Sequence, residues 1–251
     1  MYAYLRNYKK TSIKFRTEIP DYSKYVYEKP NWGYVYAPCK EELPDGMPKP
    51  KGKPIVTTTF KDANLLFDFV TGRSATGIIH LLNKTPIDWF CKRQNTVECA
   101  TYGSEYTAAR IAIDQIVEIR YALRMFGCPV DGPSVLFGDN KAVVDSSMNP
   151  SFRLKKRHNI LSFHRCREAV ANDIVRLYHI DGKNNPADIL TKNRSSREWY
   201  KLMKPLIFWT WRDNATSEVT GQKKTLTDRV VGSDNSAYEP ALVTESLAKN
   251  G

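Results

Sequence analysis

Cysteine is scarce here and carries no metal spacing. The five cysteines, Cys39, Cys91, Cys99, Cys128 and Cys166, include no Cys-x-x-Cys pair. An odd number without that pattern argues against a structural zinc and against a disulfide framework, and fits a reducing setting inside the cell: cytoplasmic, particle-associated or nuclear. No apolar run approaches the roughly 18 residues that a membrane-spanning helix needs. The N-terminal MYAYLRNYKK lacks the apolar stretch of a secretory signal. Acid is also in short supply. Against 38 Lys and Arg stand 27 Asp and Glu, which leaves a formal charge of +11 and a pI near 9.3. From Asp213 onward four basic and six acidic residues give −2, so the remainder carries +13. Such a balance points to a polyanionic partner, with a solvated basic face as the alternative.

Apolar residues make up 41% of the chain, enough for a core. Residues 1–53 are rich in Tyr, Pro and Lys and read as a basic aromatic arm, with CKEELPDGMPKPKGKP as a linker. The aromatic stretch Tyr25 to Tyr36 suits a short hairpin or an arm against a neighbouring domain. A folded domain is expected over 54–192, a closing helix and aromatic run over 193–212, and a disordered polar tail over 213–251.

Within the domain, IVTTTFKD (55–62), GIIHLLN (77–83) and IDWFCKR (87–93) read as an antiparallel meander. Apolar residues at helical spacing predict a long helix from Thr101 to Met125, stopped by Gly127. SVLFGD (134–139) reads as a buried strand, and a helix is predicted from Asn140 to before Pro150. A basic helix follows over Lys155 to Ala171, then the strand DIVRLYHID (173–181) and a helix opened by Pro186 at its first position. A last helix is predicted from Ser196 to Leu206. Three antiparallel strands followed by interleaved strands and helices predict a mixed α/β sheet with helices on its faces.

Four acids occupy the joints of this pattern. Asp62 is expected to end the first strand, Glu105 to lie in the first turn of the long helix, Asp139 to end the fourth strand, and Asp188 to lie in the first turn of a late helix. Such positions can converge at one sheet edge. Crowded carboxylates repel, and hard divalent cations such as Mg²⁺ relieve the repulsion. Two such ions can support in-line displacement at a phosphodiester with no covalent nucleophile on the protein. Each acid also has a plainer reading. Glu105 and Asp188 could be first-turn acids favoured by the helix dipole, and Asp139 a turn residue or cap.

The residues around these acids resemble, segment by segment, the ribonuclease H region at the C-terminal end of copia-type retrotransposon polyproteins. The matching segments run in order: KDANLLFD (61–68), TGRSATGIIHLLN (71–83), IDWFCKRQNTV (87–97), ATYGSEYTAA (100–109), LFGDN (136–140), KRHNILSFHRCRE (156–168) and HIDGKNNPADILTK (179–192). The resemblance covers about 54–192. It implies a ribonuclease H-like mixed five-stranded sheet with helices on both faces. It places Asp62, Glu105, Asp139 and Asp188 on the family's catalytic, metal-binding acids, holding two Mg²⁺ ions with Mn²⁺ as a substitute. The implied substrate is an RNA–DNA hybrid whose RNA strand is hydrolysed, and an upstream reverse transcriptase is the implied partner. Gly103 departs from the family, where many members carry a glutamate. His179 is expected on a strand and is given no role in product release. No two aspartates are adjacent, so no polymerase activity is expected. The chain reads as the tail or a fragment of a longer polyprotein.

Arg153, Lys155, Lys156, Arg157 and His158 form a basic run suited to phosphate contact, with a solvated helix end as the alternative. His158 and His164 do not share a helical face, and His164 reads as packed or capping. Asp68 and Asp181 read as turn residues, and Trp89, Trp209 and Trp211 as core. Two other functions stay open: a catalytically inactive element fragment that only binds nucleic acid, and an integrase-like strand-transfer domain, which shares the carboxylate logic.

Overall fold

The computed structural model describes residues 11–33, 35–36, 41–130 and 132–208. The chain divides into two compact units, residues 13–207 and the two ends, 1–12 with 208–251. Of the ends only residues 11, 12 and 208 are described. The expected tail, with Trp209 and Trp211, therefore lies outside the described residues.

The centre of the unit 13–207 is a five-stranded sheet. Strand β1 (Thr57–Asp68) pairs antiparallel with β2 (Arg73–Leu82), and β2 pairs antiparallel with β3 (Thr85–Arg93). After helix α1 (Thr101–Met125), strand β4 (Ser134–Gly138) lies parallel to β1. Helices α2 (Lys141–Met148) and α3 (Ile160–Ala171) precede β5 (Val175–His179), which lies parallel to β4. The strand order is β3-β2-β1-β4-β5. A 3₁₀ helix, Pro186–Leu190, and helix α4 (Ser196–Met203) follow. The mixed sheet and its order of elements agree with the sequence reading.

Period-two alternation distributes β2 between two cores. Ile78 faces α1 and α3, in a cluster with Tyr106, Ile113, Leu136, Phe163 and Val175. Its neighbour Ile79 faces the other way, with Leu81, Leu206, Ile189 and Leu190. The second face is thus covered by the 3₁₀ turn and the chain after α4. Aromatic residues of the arm cover the same sheet further along. Tyr22 and Tyr25 set their rings 5.6 and 5.0 Å from that of Phe137, and Tyr25 lies 5.2 Å from Tyr178.

Several expectations need correction. β1 does not stop at Asp62 but runs on to Asp68, because antiparallel pairing with β2 continues through Asn64↔Ala75 and resumes at Asp68↔Arg73 after a register shift. Lys155 and Lys156 are not helical. Arg157–Asn159 is a 3₁₀ turn and α3 begins only at Ile160, so the basic run leads into the helix. Trp89 is not core: it lies on an edge strand and is 59% exposed. His164 is exposed, and its Nδ1 meets the Tyr36 hydroxyl at 2.8 Å. Asp68 and Asp181 do serve turns. Asp68 accepts from the backbone N–H groups of Val70 and Thr71, and Asp181 from that of Lys183.

Candidate metal centre

The sheet's parallel register brings two acids level. Phe60 pairs with Phe137 across β1 and β4. Two residues further along each chain stand Asp62, now in mid-strand, and Asp139, the first residue after β4. Glu105 is the fifth residue of α1, past the first turn, which contains no acid. This corrects the first-turn placement and removes the dipole explanation for Glu105, because the unpaired N–H groups lie behind it. Asp188 is in a first turn, but of a 3₁₀ helix, where the Asn185 side chain accepts from the Ala187 N–H at 3.2 Å.

Gly77, opposite Asp62 in β2, lets that turn come down onto the sheet. A Cβ at Gly77 would lie 2.7 Å from Thr191 Cγ2 and 2.9 Å from both the Ala187 carbonyl oxygen and Leu190 Cβ. No larger residue fits beneath the turn. The turn in turn carries Asp188.

One ligand atom from each of Asp62, Glu105 and Asp139 lies within 4.8 Å of the others. Asp188 joins them through Lys192. The Lys192 ammonium sits 3.1 Å from Asp62 Oδ1 and 3.8 Å from Asp139 Oδ2, and it is ion-paired with Asp188 Oδ1. Arg194 pairs with Asp188 Oδ2, and the Thr191 hydroxyl donates to Asp62 Oδ2. On the helix side, the buried Lys61 donates to Glu105 Oε2, and the Ala63 N–H donates to Glu105 Oε1 at 3.3 Å. Asp62 and Asp188 are fully buried, while Asp139 is partly open to solvent. Four carboxylates therefore meet three cations, which leaves one formal negative charge in excess. The oxygen-only donor set of the acids suits a hard divalent cation.

Lys61, Lys192, Arg194 and Thr191 were not singled out from the sequence. Lys192 had a local signal, since it follows Asp188 at i+4. Lys61 had none, because adjacent strand residues point to opposite faces.

Burial pushes the Glu105 carboxyl up to about 7; Lys61 opposes this, and the charges of Asp139 and Asp62 add to it. The folded chain thus holds that proton more tightly than an unfolded one, in which the pKa is near 4.5. The stabilisation is complete below the unfolded value and is lost as pH rises through the folded one. With divalent ions chelated, stability is expected to fall between about pH 4.5 and 7. Denaturant unfolding of the parent and Glu105→Gln chains across this range checks it: parallel curves would contradict the assignment. For Lys192, burial works against the charged form, but Asp188 and Asp62 outweigh it and its pKa is raised.

Arg153, Lys155, Lys156, Arg157 and His158 are all exposed. His158 Nε2 lies 3.6 Å from Glu98 Oε2. The Glu98 carboxylate fills the space that a side chain at Gly103 would need. This links the basic run to the start of α1, two residues before Glu105. His179 ends β5, exposed, and its Nε2 donates to the Asp139 carbonyl at 3.1 Å.

No protein-family profile matches the chain. Its homologues are retrovirus-related Pol polyproteins of transposons. It is 27% identical over 148 residues to the Pol polyprotein from transposon TNT 1-94 of Nicotiana tabacum, covering 59% of this chain and 11% of that one. It is 28% identical over 142 residues to that from transposon RE2 of Arabidopsis thaliana, covering 57% and 10%. The chain thus spans about a tenth of the length of the curated relatives it matches. Among solved structures, it overlaps the N-terminal RNase H domain of rv2228c from Mycobacterium tuberculosis, fused to maltose-binding protein. That overlap has a TM-score of 0.43 and 11% identity, over 60% of this chain and 97% of that one. RNase H1 of Halobacterium salinarum overlaps with a TM-score of 0.40 and 14% identity, over 55% and 95%.

Proposed function

We propose that this chain is a metal-dependent ribonuclease that hydrolyses the RNA strand of RNA–DNA hybrids. The observation that carries the reading is the meeting of Asp62, Glu105, Asp139 and Asp188 from four separate elements beside the C-terminal end of β4, with Asp139 partly open to solvent. Homology to transposon Pol polyproteins supports it, since copying an RNA element into DNA produces such hybrids. A reverse transcriptase domain of a longer polyprotein is the proposed partner.

The four acids would hold Mg²⁺, with Mn²⁺ as a substitute, and two such ions would activate a water and stabilise the leaving oxygen. Glu105 has to be ionised to serve as a ligand, which favours neutral or alkaline pH. Asp139 is partly open to solvent, from which the backbone of the hybrid would arrive. Thr191 holds Asp62 in one orientation through its hydroxyl. The exposed run from Arg153 to His158 would take the phosphates of the hybrid. Contact with phosphates and 2′-hydroxyls tells RNA from DNA with little regard to sequence.

A labelled hybrid incubated with the purified chain and Mg²⁺ tests this. Cutting of the RNA strand that stops on chelation is the expected outcome, with duplex DNA left intact. Salt-sensitive binding without cutting in Mg²⁺ or Mn²⁺ would favour the second reading, a binding-only fragment. That reading draws on the pairing of Glu105 with the buried Lys61. Cutting of duplex DNA would favour strand-transfer chemistry instead. Replacing Lys155 and Lys156 with Gln is expected to weaken hybrid binding at all sequences alike. It should also lower the slope of log affinity against log salt by about 1–2. An unchanged slope would remove these residues from the interface.

A further inference from the structure

We infer that Lys192 is a resident cation holding one of two cation positions in the acid cluster. The centre then takes one divalent ion beside Glu105 first, and a second only by expelling the Lys192 ammonium. This rests on the metal-site reading above and deepens it.

The cluster offers two distinct places for positive charge. One is bounded by Asp62, Glu105 and Asp139, whose ligand atoms lie within 4.8 Å of one another. The other is bounded by Asp62, Asp139 and Asp188, and the Lys192 Nζ stands in it, 3.1 Å from Asp62 Oδ1 and 3.8 Å from Asp139 Oδ2. An ammonium bridging three carboxylates from three elements does there what a metal ion would do. It neutralises them and fixes their spacing.

Lys61 and Lys192 differ in whether they can leave. The Lys61 side chain is 1% exposed and is pinned between β1 and α1, so it stays with Glu105. The Lys192 side chain is 34% exposed. Its flexible stem can carry the ammonium out to water, where solvation repays the lost contacts. Asp188 would still keep Arg194 as a partner. The first divalent ion already takes the formal charge of the cluster from −1 to +1, and exchanging the ammonium for a second ion takes it to +2. The second ion should therefore bind more weakly than the first.

The test uses the full chain and Mn²⁺ as the probe, read by calorimetric titration and by the electron-spin signal of free Mn²⁺. The parent should bind one ion tightly and a second more weakly. In Lys192→Met the second ion should tighten by about tenfold or more, because no ammonium has to give up its ion pairs with Asp62, Asp139 and Asp188 first. Lys192→Arg keeps the charge and should keep the parent's isotherm. Two equally tight ions in the parent would overturn the inference even if the Met variant failed to fold, and so would an unchanged isotherm in Lys192→Met. Tight binding of the first ion that survives Asp139→Asn, or no binding by the parent at all, would instead sink the metal-site reading beneath it.

Discussion

Asp139→Asn is expected to lower hybrid cleavage by about 10²-fold or more, since loss even of a residue that only supports a metal ligand costs 10–100-fold. The substitution keeps the shape of the side chain and takes away its charge. Asp139 suits the experiment because it belongs to both cation positions and yet is only partly buried. Asp62 and Asp188 are fully buried. Neutralising either would strand Lys192 or Arg194 beside a missing partner, and a loss of activity could then reflect a loss of fold. At Asp139 the nearest cation is 3.8 Å away and keeps two other carboxylates. Hybrid binding through Arg153 to His158 should survive. Single-turnover cleavage at saturating Mg²⁺, with binding measured in parallel, separates the two effects. A variant that cuts at the parent's rate would remove Asp139 from the reaction. Chelation of the parent should match the variant in its effect, and added Mg²⁺ should restore only the parent.

Gly77→Ala is expected to destabilise the chain by about 1–3 kcal/mol, the usual cost of forcing extra volume into a packed site. For a chain of this size that corresponds to roughly 2–4 °C in melting temperature per kcal/mol. The new methyl would press on Thr191 Cγ2, Leu190 Cβ and the backbone carbonyl of Ala187 together. A flexible side chain could swing away, but a backbone carbonyl cannot move without its turn. Relief must therefore lift the Pro186–Leu190 turn from the sheet, and Asp188 with it. Cleavage should fall more steeply than stability, since a shift of about 1 Å at a catalytic group can cost 10²-fold. Gly103→Ala serves as a contrast, because the atoms nearest its methyl would belong to the Glu98 and Asn159 side chains and not to backbone. Equal melting temperatures for Gly77→Ala and the parent would show that the turn does not bear on Gly77.

Much of the fold was legible because its signals are local. The β-branched run at Thr57–Thr59, the helical spacing of Tyr106, Ala109 and Ile113, Gly127 after the helix and Pro186 at the head of its turn each report on a few neighbouring residues. The errors lay where pairing partners decide. β1 outran Asp62 because β2 was there to pair with it, and the basic run stayed out of the helix until Ile160. Trp89 looked like core from its strand, but its strand is an edge, and no local pattern reveals which strand will be last.

By itself the sequence determined the order of elements, the positive balance and the four acids with their surroundings, since each is a property of composition or of a short stretch. Only the tertiary structure decided which charges meet. Lys61 and Asp62 are neighbours in the chain yet serve opposite faces of a strand, while Lys192 comes within 3.1 Å of an acid 130 positions away. Those encounters depend on strand register and on one glycine thin enough to let a turn settle. Coulomb forces act across space, so the chemistry of the cluster is set by distances that no stretch of chain contains.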